Sequence, residues 1–122
     1  QQVPFMLCGG EHGVGLSYLK ALSDIYSRFS ILQIDAHMDC RSDYLGFKWS
    51  HASISAHYSK LPAVDSISQV GVRDYAAHEL QFQQNSATPF YTFLDYDIHK
   101  QLFQGVSWHD ISTQIIGNCQ KI

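Results

Sequence analysis

The chain has 122 residues, 45% of them hydrophobic and 16% charged, with a formal net charge of -3. This length and composition predict one globular domain, and the slight acidity argues against the basic surface with which proteins bind nucleic acid. No apolar stretch approaches the roughly 20 residues of a membrane span, and three widely spaced cysteines without a C-x-x-C pair indicate reduced thiols. We therefore expect a cytoplasmic protein with no nucleic-acid and no membrane partner.

The first half of the chain predicts two strands, each followed by a helix. The apolar run Phe5–Cys8 stops at two glycines and predicts a buried strand with a tight turn after it. Apolar residues recur at helical spacing from Ser17 to Arg28, with Ser17 as the N-cap. Ile31–Asp35 predicts the next strand, and after a polar loop a helix begins near His51.

The second half continues the alternation. It predicts a strand over Ser66–Val72, a helix from Ala76 to Gln84, a strand over Phe90–Leu94 and a helix over Trp108–Ile116. Strands that alternate with helices are typical of an α/β domain, so we predict a three-layer α/β/α fold with a mostly parallel sheet.

Three side chains that can bind a metal stand at alternate positions as the second strand ends: Asp35, His37 and Asp39. In extended chain, alternate residues point the same way and lie about 7 Å apart, so these side chains can converge on one cation. Without a cation, two clustered carboxylates would repel each other and one would tend to protonate. The alternative is a buried strand that ends in ordinary polar residues.

A fourth candidate ligand, His12, follows the preceding predicted strand in the stretch Gly9-Gly-Glu-His12. Strands of a parallel sheet end at the same edge, and ligands bind beyond their carboxyl ends. His12 is therefore expected beside the two aspartates. The predicted metal ligands are His12, Asp35, His37 and Asp39.

Four motifs in this order resemble the ureohydrolase (arginase/agmatinase) superfamily: Gly9-Gly-Glu-His12, Asp35-Ala-His-Met-Asp39, Ser50-His-Ala-Ser53 and Val70-Gly-Val-Arg-Asp74. The resemblance implies an arginase-like fold and two Mn²⁺ ions, whose bridging hydroxide attacks the carbon of a small guanidino substrate and releases urea. It also implies a homo-oligomer, a trimer or a hexamer.

The same resemblance implies a role for each site residue. His12 and Asp39 would bind one ion, His37 the other, and Asp35 would bridge the two. His51 would be the catalytic residue that gives a proton to the leaving amine, since a histidine exchanges protons near neutral pH. The alternative for His51 is that it only packs at a helix start. The remaining histidines are expected on the surface or on helix faces: His57, His78, His99 and His109.

The loop Asp43-Tyr-Leu-Gly46 is most similar to agmatinases, which implies hydrolysis of agmatine to putrescine. Arg41 also resembles the arginine that formimidoylglutamases can carry after the D-A-H-x-D motif, and it is a possible substrate-binding residue. A formimidoylglutamase and an arginase-type enzyme are therefore the alternatives. Because the far end of agmatine is cationic, we expect Arg41 to turn away from the pocket or to pair with Asp43.

Superfamily members carry two more aspartates in an S-F-D-x-D-x-x-D-P-type segment, expected where this sequence reaches Lys121-Ile122. Residues 1–122 therefore resemble the central segment of one incomplete ureohydrolase domain, and the isolated segment is expected to be inactive. Asp95-Tyr-Asp97 is an alternative D-x-D pair, but we predict that Asp95 begins a helix. Other readings are a non-catalytic homologue that lacks half the metal site and a zinc-dependent amidohydrolase.

Overall fold

The computed structural model describes residue 4 and residues 6–119. Three strands form one sheet in the order β1 (Phe29–Ile34), β2 (Val64–Val72) and β3 (Phe90–Leu94), and both neighbouring pairs are parallel. The predicted parallel α/β architecture is thereby confirmed. Lys121 and Ile122, where a further strand was expected, lie outside the described residues.

Five α-helices accompany the sheet: α1 (Gly15–Ile25), α2 (Ile54–Tyr58), α3 (Ala77–Asn85), α4 (Asp95–Phe103) and α5 (Trp108–Cys119). Short 3₁₀ turns, His12–Val14 and His51–Ser53, lead directly into α1 and α2. The prediction that Asp95 begins a helix is confirmed. None of the helices in residues 6–119 has both the length and the apolar character that a membrane crossing requires.

Two predictions near the amino terminus are wrong: a strand and a helix N-cap. Phe5 lies outside the described residues, and the rest of the predicted strand, Met6 to Cys8, is exposed and irregular. A strand needs a ladder partner for its N–H and C=O groups, and β2 is the only described partner of β1. Ser17 is not an N-cap, because the 3₁₀ turn runs into α1 at Gly15.

Hydrophobic packing on both faces of the sheet produces three layers. On one face α1 and α2 pack against β2, where Ile54 and Ile67 are fully buried. On the other face α4 and α5 pack their buried Ile98 and Ile111 against Val70. Alternate residues of a strand point to opposite faces, which is why Ile67 and Val70 belong to different clusters.

The end of β2 is distorted at Gly71. This residue has φ +86, and the pairing with β3 shifts register between Val70 and Val72. A positive φ strains residues that carry a Cβ. The distortion turns Val72 toward Met38 and Cys40, with which it forms a third buried cluster, so Gly71 supports the loop that contains the predicted ligands.

Two glycine substitutions should change stability in opposite directions. Gly71→Ala should lower the free energy of unfolding by about 1–2 kcal/mol, the cost of a left-handed conformation, because a Cβ there meets only Asp35 O at 3.6 Å and no clash contributes. Gly117→Ala, in open space on α5, should raise it by about 0.5–1 kcal/mol. Urea unfolding measures both, and equal stability of Gly71→Ala and wild type would contradict the assigned backbone strain.

Candidate metal centre

The loop after β1 is fixed against the end of β2 by backbone hydrogen bonds. The Asp35 N–H donates to the Val70 carbonyl at 3.0 Å, and the Arg73 N–H donates to the Ala36 carbonyl at 2.9 Å. His37 then forms an isolated parallel bridge with Asp74. The first part of the motif Asp35-Ala-His-Met-Asp39 is therefore held at the carboxyl edge of the sheet, as predicted from strand order.

Asp39 has a left-handed backbone, with φ +53. Its carbonyl accepts a hydrogen bond from the Ser55 N–H at 2.9 Å, and the next N–H, that of Cys40, donates to the buried Glu79 Oε1 at 3.0 Å. Met38 and Cys40 on either side are buried. These contacts from α2 and α3 keep the Asp39 backbone in this conformation and aim its carboxylate at His12.

Three of the four predicted ligands form one cluster. The His12 Nδ1 lies 2.7 Å from Asp39 Oδ2 and 3.2 Å from Asp35 Oδ2. One ligand atom from each of these residues lies within 4.8 Å of the others. His37 does not join this group. Its ring Nδ1 lies 3.3 Å from the other oxygen of Asp35, Oδ1, and its backbone N–H donates a hydrogen bond to that oxygen at 2.9 Å.

The cluster fits a divalent cation by its chemistry and its dimensions. Imidazole and carboxylate donors suit ions such as Mn²⁺. In an octahedral site, ligand bonds of about 2.1 Å at right angles place two donor atoms about 3 Å apart, close to the observed 2.7 and 3.2 Å. Asp35 offers one oxygen to His12 and the other to His37, which suits a bridging carboxylate.

Ionisation at the cluster follows from the carboxylates and from burial. The hydrogen bond from His12 to Asp39 raises the pKa of the imidazole, against the opposing effect of partial burial. Burial raises the pKa of the Cys40 thiol to about 12, so this cysteine is protonated at neutral pH and is a poor metal ligand. Burial likewise raises the pKa of Tyr58 to about 12.

A cavity of about 190 Å³ opens beside the cluster. Its lining includes His37, Asp39, Arg41, Tyr44, His51 and Asp74. The exposed His51 ring packs edge-on against Tyr44 at 5.5 Å between ring centroids. The predicted catalytic histidine therefore shares a cavity with two of the predicted metal ligands.

Arg41 does not behave as predicted. It lines the cavity, and its Nε lies 3.8 Å from Glu79 Oε2 instead of pairing with Asp43. The guanidinium also lies over the Tyr44 ring, 5.6 Å from its centroid. The nearby sequence suggested Asp43, but the fold brings α3 and its buried carboxylate to the other side of Arg41.

The other histidines lie on helices. His78, His99 and His109 are exposed, as predicted. His57 on α2 is buried, with Nε2 2.7 Å from the Lys48 carbonyl and its ring packed against Trp49. None of these four residues belongs to the metal cluster found among the described residues.

Several polar residues at the site carry no assignment from the sequence. Glu79 is 3% exposed and ties the Cys40 N–H to the start of α3 through the Ala76 N–H. Gln33 and Gln69 lie buried in the sheet beneath the ligands. The sequence does offer one sign of this role, because each glutamine interrupts a largely apolar strand: Gln33 stands two residues before Asp35, and Gln69 two residues before Gly71.

A model of the arginase family matches residues 1–115 of the chain. An agmatinase of Halalkalibacterium halodurans is 34% identical over 86 residues, a match that covers 70% of this chain and 29% of the relative. An uncharacterized 32.2 kDa protein of Methanothermus fervidus is 37% identical over 95 residues, covering 76% of this chain and 31% of the relative. The chain thus spans under a third of the length of these relatives.

Two solved structures resemble the chain in fold. An arginase from Medicago truncatula superimposes with a TM-score of 0.69 at 24% identity, over 76% of this chain and 29% of that one. The proclavaminate amidino hydrolase of Streptomyces clavuligerus gives 0.61 at 16% identity, over 76% of this chain and 32% of that one. The arginase-like α/β fold predicted from the motifs is confirmed by these comparisons.

The raised pKa of His12 predicts a pH-dependent contribution to stability. In the metal-free protein, protonated His12 stabilises the fold below its ordinary pKa of 6.5, and this contribution is lost as the pH rises through the higher folded-state pKa. His12→Gln should therefore lower the free energy of unfolding more at about pH 5.5 than at about pH 9. The exposed His109→Gln is the control, and equal losses of His12→Gln at both pH values in urea unfolding would contradict the assignment.

Proposed function

The chain belongs to the arginase family, and from this premise we propose that the protein hydrolyses a guanidino substrate and releases urea. The observation that carries the proposal is the cluster of His12, Asp35 and Asp39, whose donor atoms lie within 4.8 Å at the carboxyl edge of a parallel sheet. The agmatinases and the amidino hydrolase among its relatives support the reaction class.

We propose Mn²⁺ as the cofactor, with two ions in the complete domain. His12 and Asp39 would hold one ion, His37 would contribute to the other, and Asp35 would contact both through its two oxygens. Such ions supply a nucleophilic water at neutral pH and neutralise developing negative charge.

His51 supplies the proton in this proposal. The nitrogen that leaves a guanidinium carbon is a poor leaving group until it is protonated, so a general acid beside the cavity accelerates its departure. The edge-on contact with Tyr44 orients the His51 ring, and the ring lines the same cavity as His37 and Asp39. No other described histidine outside the ligand set lines that cavity.

Agmatine is the proposed substrate. Besides the proposed metal ligand Asp39, the cavity is lined by Asp74 and Glu79, and the 82% exposed carboxylate of Asp74 can face a cationic ligand. Arg41 pairs with the carboxylate of Glu79, and this negative charge offsets the repulsion between the Arg41 guanidinium and agmatine. A larger cleft of about 520 Å³ on another part of the surface is lined by Lys20, Lys48 and Lys60, and these charges disfavour a guanidinium there.

A substrate with a carboxylate, such as formiminoglutamate or arginine, is the second candidate. The observation that favours it is the position of Arg41, which lines the cavity instead of turning away. A bidentate guanidinium–carboxylate contact is a common way of recognising such substrates.

By the same family resemblance we propose a homo-oligomer, a trimer or hexamer, in the cytoplasm.

The proposal is tested first by metal content and turnover of the full-length protein. We expect two Mn²⁺ per chain and urea release from agmatine. The rate of agmatine hydrolysis should exceed the rates of hydrolysis of arginine and formiminoglutamate. Asp35→Asn should weaken Mn²⁺ binding and abolish urea release, because the bridging position loses its charge. The matched control is Asp95→Asn, which alters another aspartate beside a histidine, His99 at 3.5 Å, and should leave both intact.

One zinc per chain without urea would favour an amidohydrolase, and no bound metal would favour a non-catalytic homologue. Faster turnover of formiminoglutamate than of agmatine, lost in Arg41→Ala, would reverse the ranking of substrates.

A second test concerns His51. His51→Ala should lower kcat by about 10²–10⁴-fold, the usual contribution of a general acid, while Mn²⁺ binding stays close to that of wild type because His51 is not a proposed ligand. His109→Ala, on the exposed side of α5, serves as control. Steady-state kinetics together with a Mn²⁺ titration separates the effects, and full activity of His51→Ala would remove this residue from the mechanism.

A further inference from the structure

A row of polar side chains crosses the buried face of the sheet beneath the metal cluster. Gln33 on β1, Gln69 on β2 and Thr92 on β3 occupy directly paired positions. Gln69 is 0% exposed and Gln33 is 5% exposed. A buried amide without partners is costly, and most strand residues around these glutamines are apolar or small.

The amides form a chain of hydrogen bonds that runs in one direction. Thr92 Oγ1 donates to Gln83 Oε1 at 2.9 Å, and Gln83 Nε2 donates to Gln69 Oε1 at 2.6 Å. Gln69 Nε2 donates to Gln33 Oε1 at 3.0 Å, and Gln33 Nε2 donates to Asp35 Oδ2 at 3.4 Å. Each amide accepts at its oxygen and donates at its nitrogen, so neighbouring bonds polarise one another in the same sense.

The same glutamines also hold the backbone that carries the ligands. Gln69 Nε2 donates to the Met38 carbonyl at 2.7 Å, between Asp35 and Asp39 in sequence. Ser55 Oγ donates to Gln33 Oε1 at 2.7 Å, while the Ser55 N–H donates to the Asp39 carbonyl at 2.9 Å. The Asp35 carboxylate and the backbone at Met38 and Asp39 are therefore tied, directly or through Ser55, to one buried amide pair.

We propose that Gln33 and Gln69 are positioning residues for the metal ligands, acting through Asp35 and the Met38 carbonyl. This inference rests on the proposed function, since it concerns the same site. Gln33 donates to Oδ2, the Asp35 oxygen beside His12, which leaves Oδ1 directed at His37. The amide at Oδ2 and the His37 backbone N–H at Oδ1 together hold the carboxylate orientation in which each oxygen faces a different histidine.

A purely structural role for the network makes a different prediction. Buried polar networks can specify packing without any part in ligand binding. In that case removal of an amide would lower the stability of the metal-free protein and leave metal affinity unchanged. Positioning residues around a metal ligand instead change affinity, typically by about 10–100-fold.

The test measures Mn²⁺ binding to the full-length protein carrying Gln33→Met or Gln69→Met, which keep side-chain length and remove the amide. We expect the Mn²⁺ dissociation constant to rise by about 10–100-fold in each, by calorimetry and by the Mn²⁺ electron paramagnetic resonance signal. The control is Ser66→Ala, which breaks the hydrogen bond of 2.8 Å to Ser30 in the same two strands away from the cluster. It should bind Mn²⁺ like wild type.

Circular dichroism and metal-free melting establish that each variant folds. If a buried methionine prevents folding, Thr92→Val removes the first donor of the chain at a partly exposed position and should still weaken Mn²⁺ binding. Folded variants that all bind Mn²⁺ within about twofold of wild type, well below the effect expected of a residue that orients a ligand, would overturn the inference while wild-type urea release keeps the proposed function. A wild-type protein that binds no Mn²⁺ would overturn both.

Discussion

Two carboxylates that share one imidazole nitrogen are the constraint on which this structure depends. Asp35 and Asp39 both place an oxygen within 3.2 Å of the His12 Nδ1, and Asp39 is almost completely buried. Like charges this close are unfavourable unless a positive charge lies between them. In the metal-free protein the imidazole supplies part of that charge, and a divalent cation would supply more.

The rest of the fold positions these three groups. The parallel pairing of β1 and β2 sets the start of the loop, and the distortion at Gly71 brings Val72 beneath its middle. Helix α3 contributes twice, through Glu79 to the Cys40 N–H and through Gln83 to the amide chain. The site is therefore a product of contacts between residues up to about forty positions apart, which only the complete packing brings together.

Sequence reasoning could reach the alternation of strands and helices and the place of Asp35 at the end of β1, because both follow from local patterns and strand order. It also reached the convergence of His12 with Asp35 and Asp39, but through a strand before His12 that the described residues do not contain; a 3₁₀ turn that leads into α1 carries His12 instead. The sequence could not predict which carboxylate pairs with Arg41, because the choice between Asp43 and Glu79 depends on where α3 packs. The strand predicted at Phe5–Cys8 shows the same difference: its apolar residues are real, but strand formation depends on a neighbouring ladder.

The left-handed backbone at position 39 narrows the choice of residue there. Asparagine, aspartate and histidine adopt positive φ more readily than other residues with a side chain, and glycine does so freely. Glycine has no donor atom, asparagine and neutral histidine have no negative charge, and glutamate has a longer side chain without the same tolerance of this conformation. Backbone geometry and ligand chemistry thus impose independent filters, and among the residues that favour positive φ only aspartate brings a negatively charged donor.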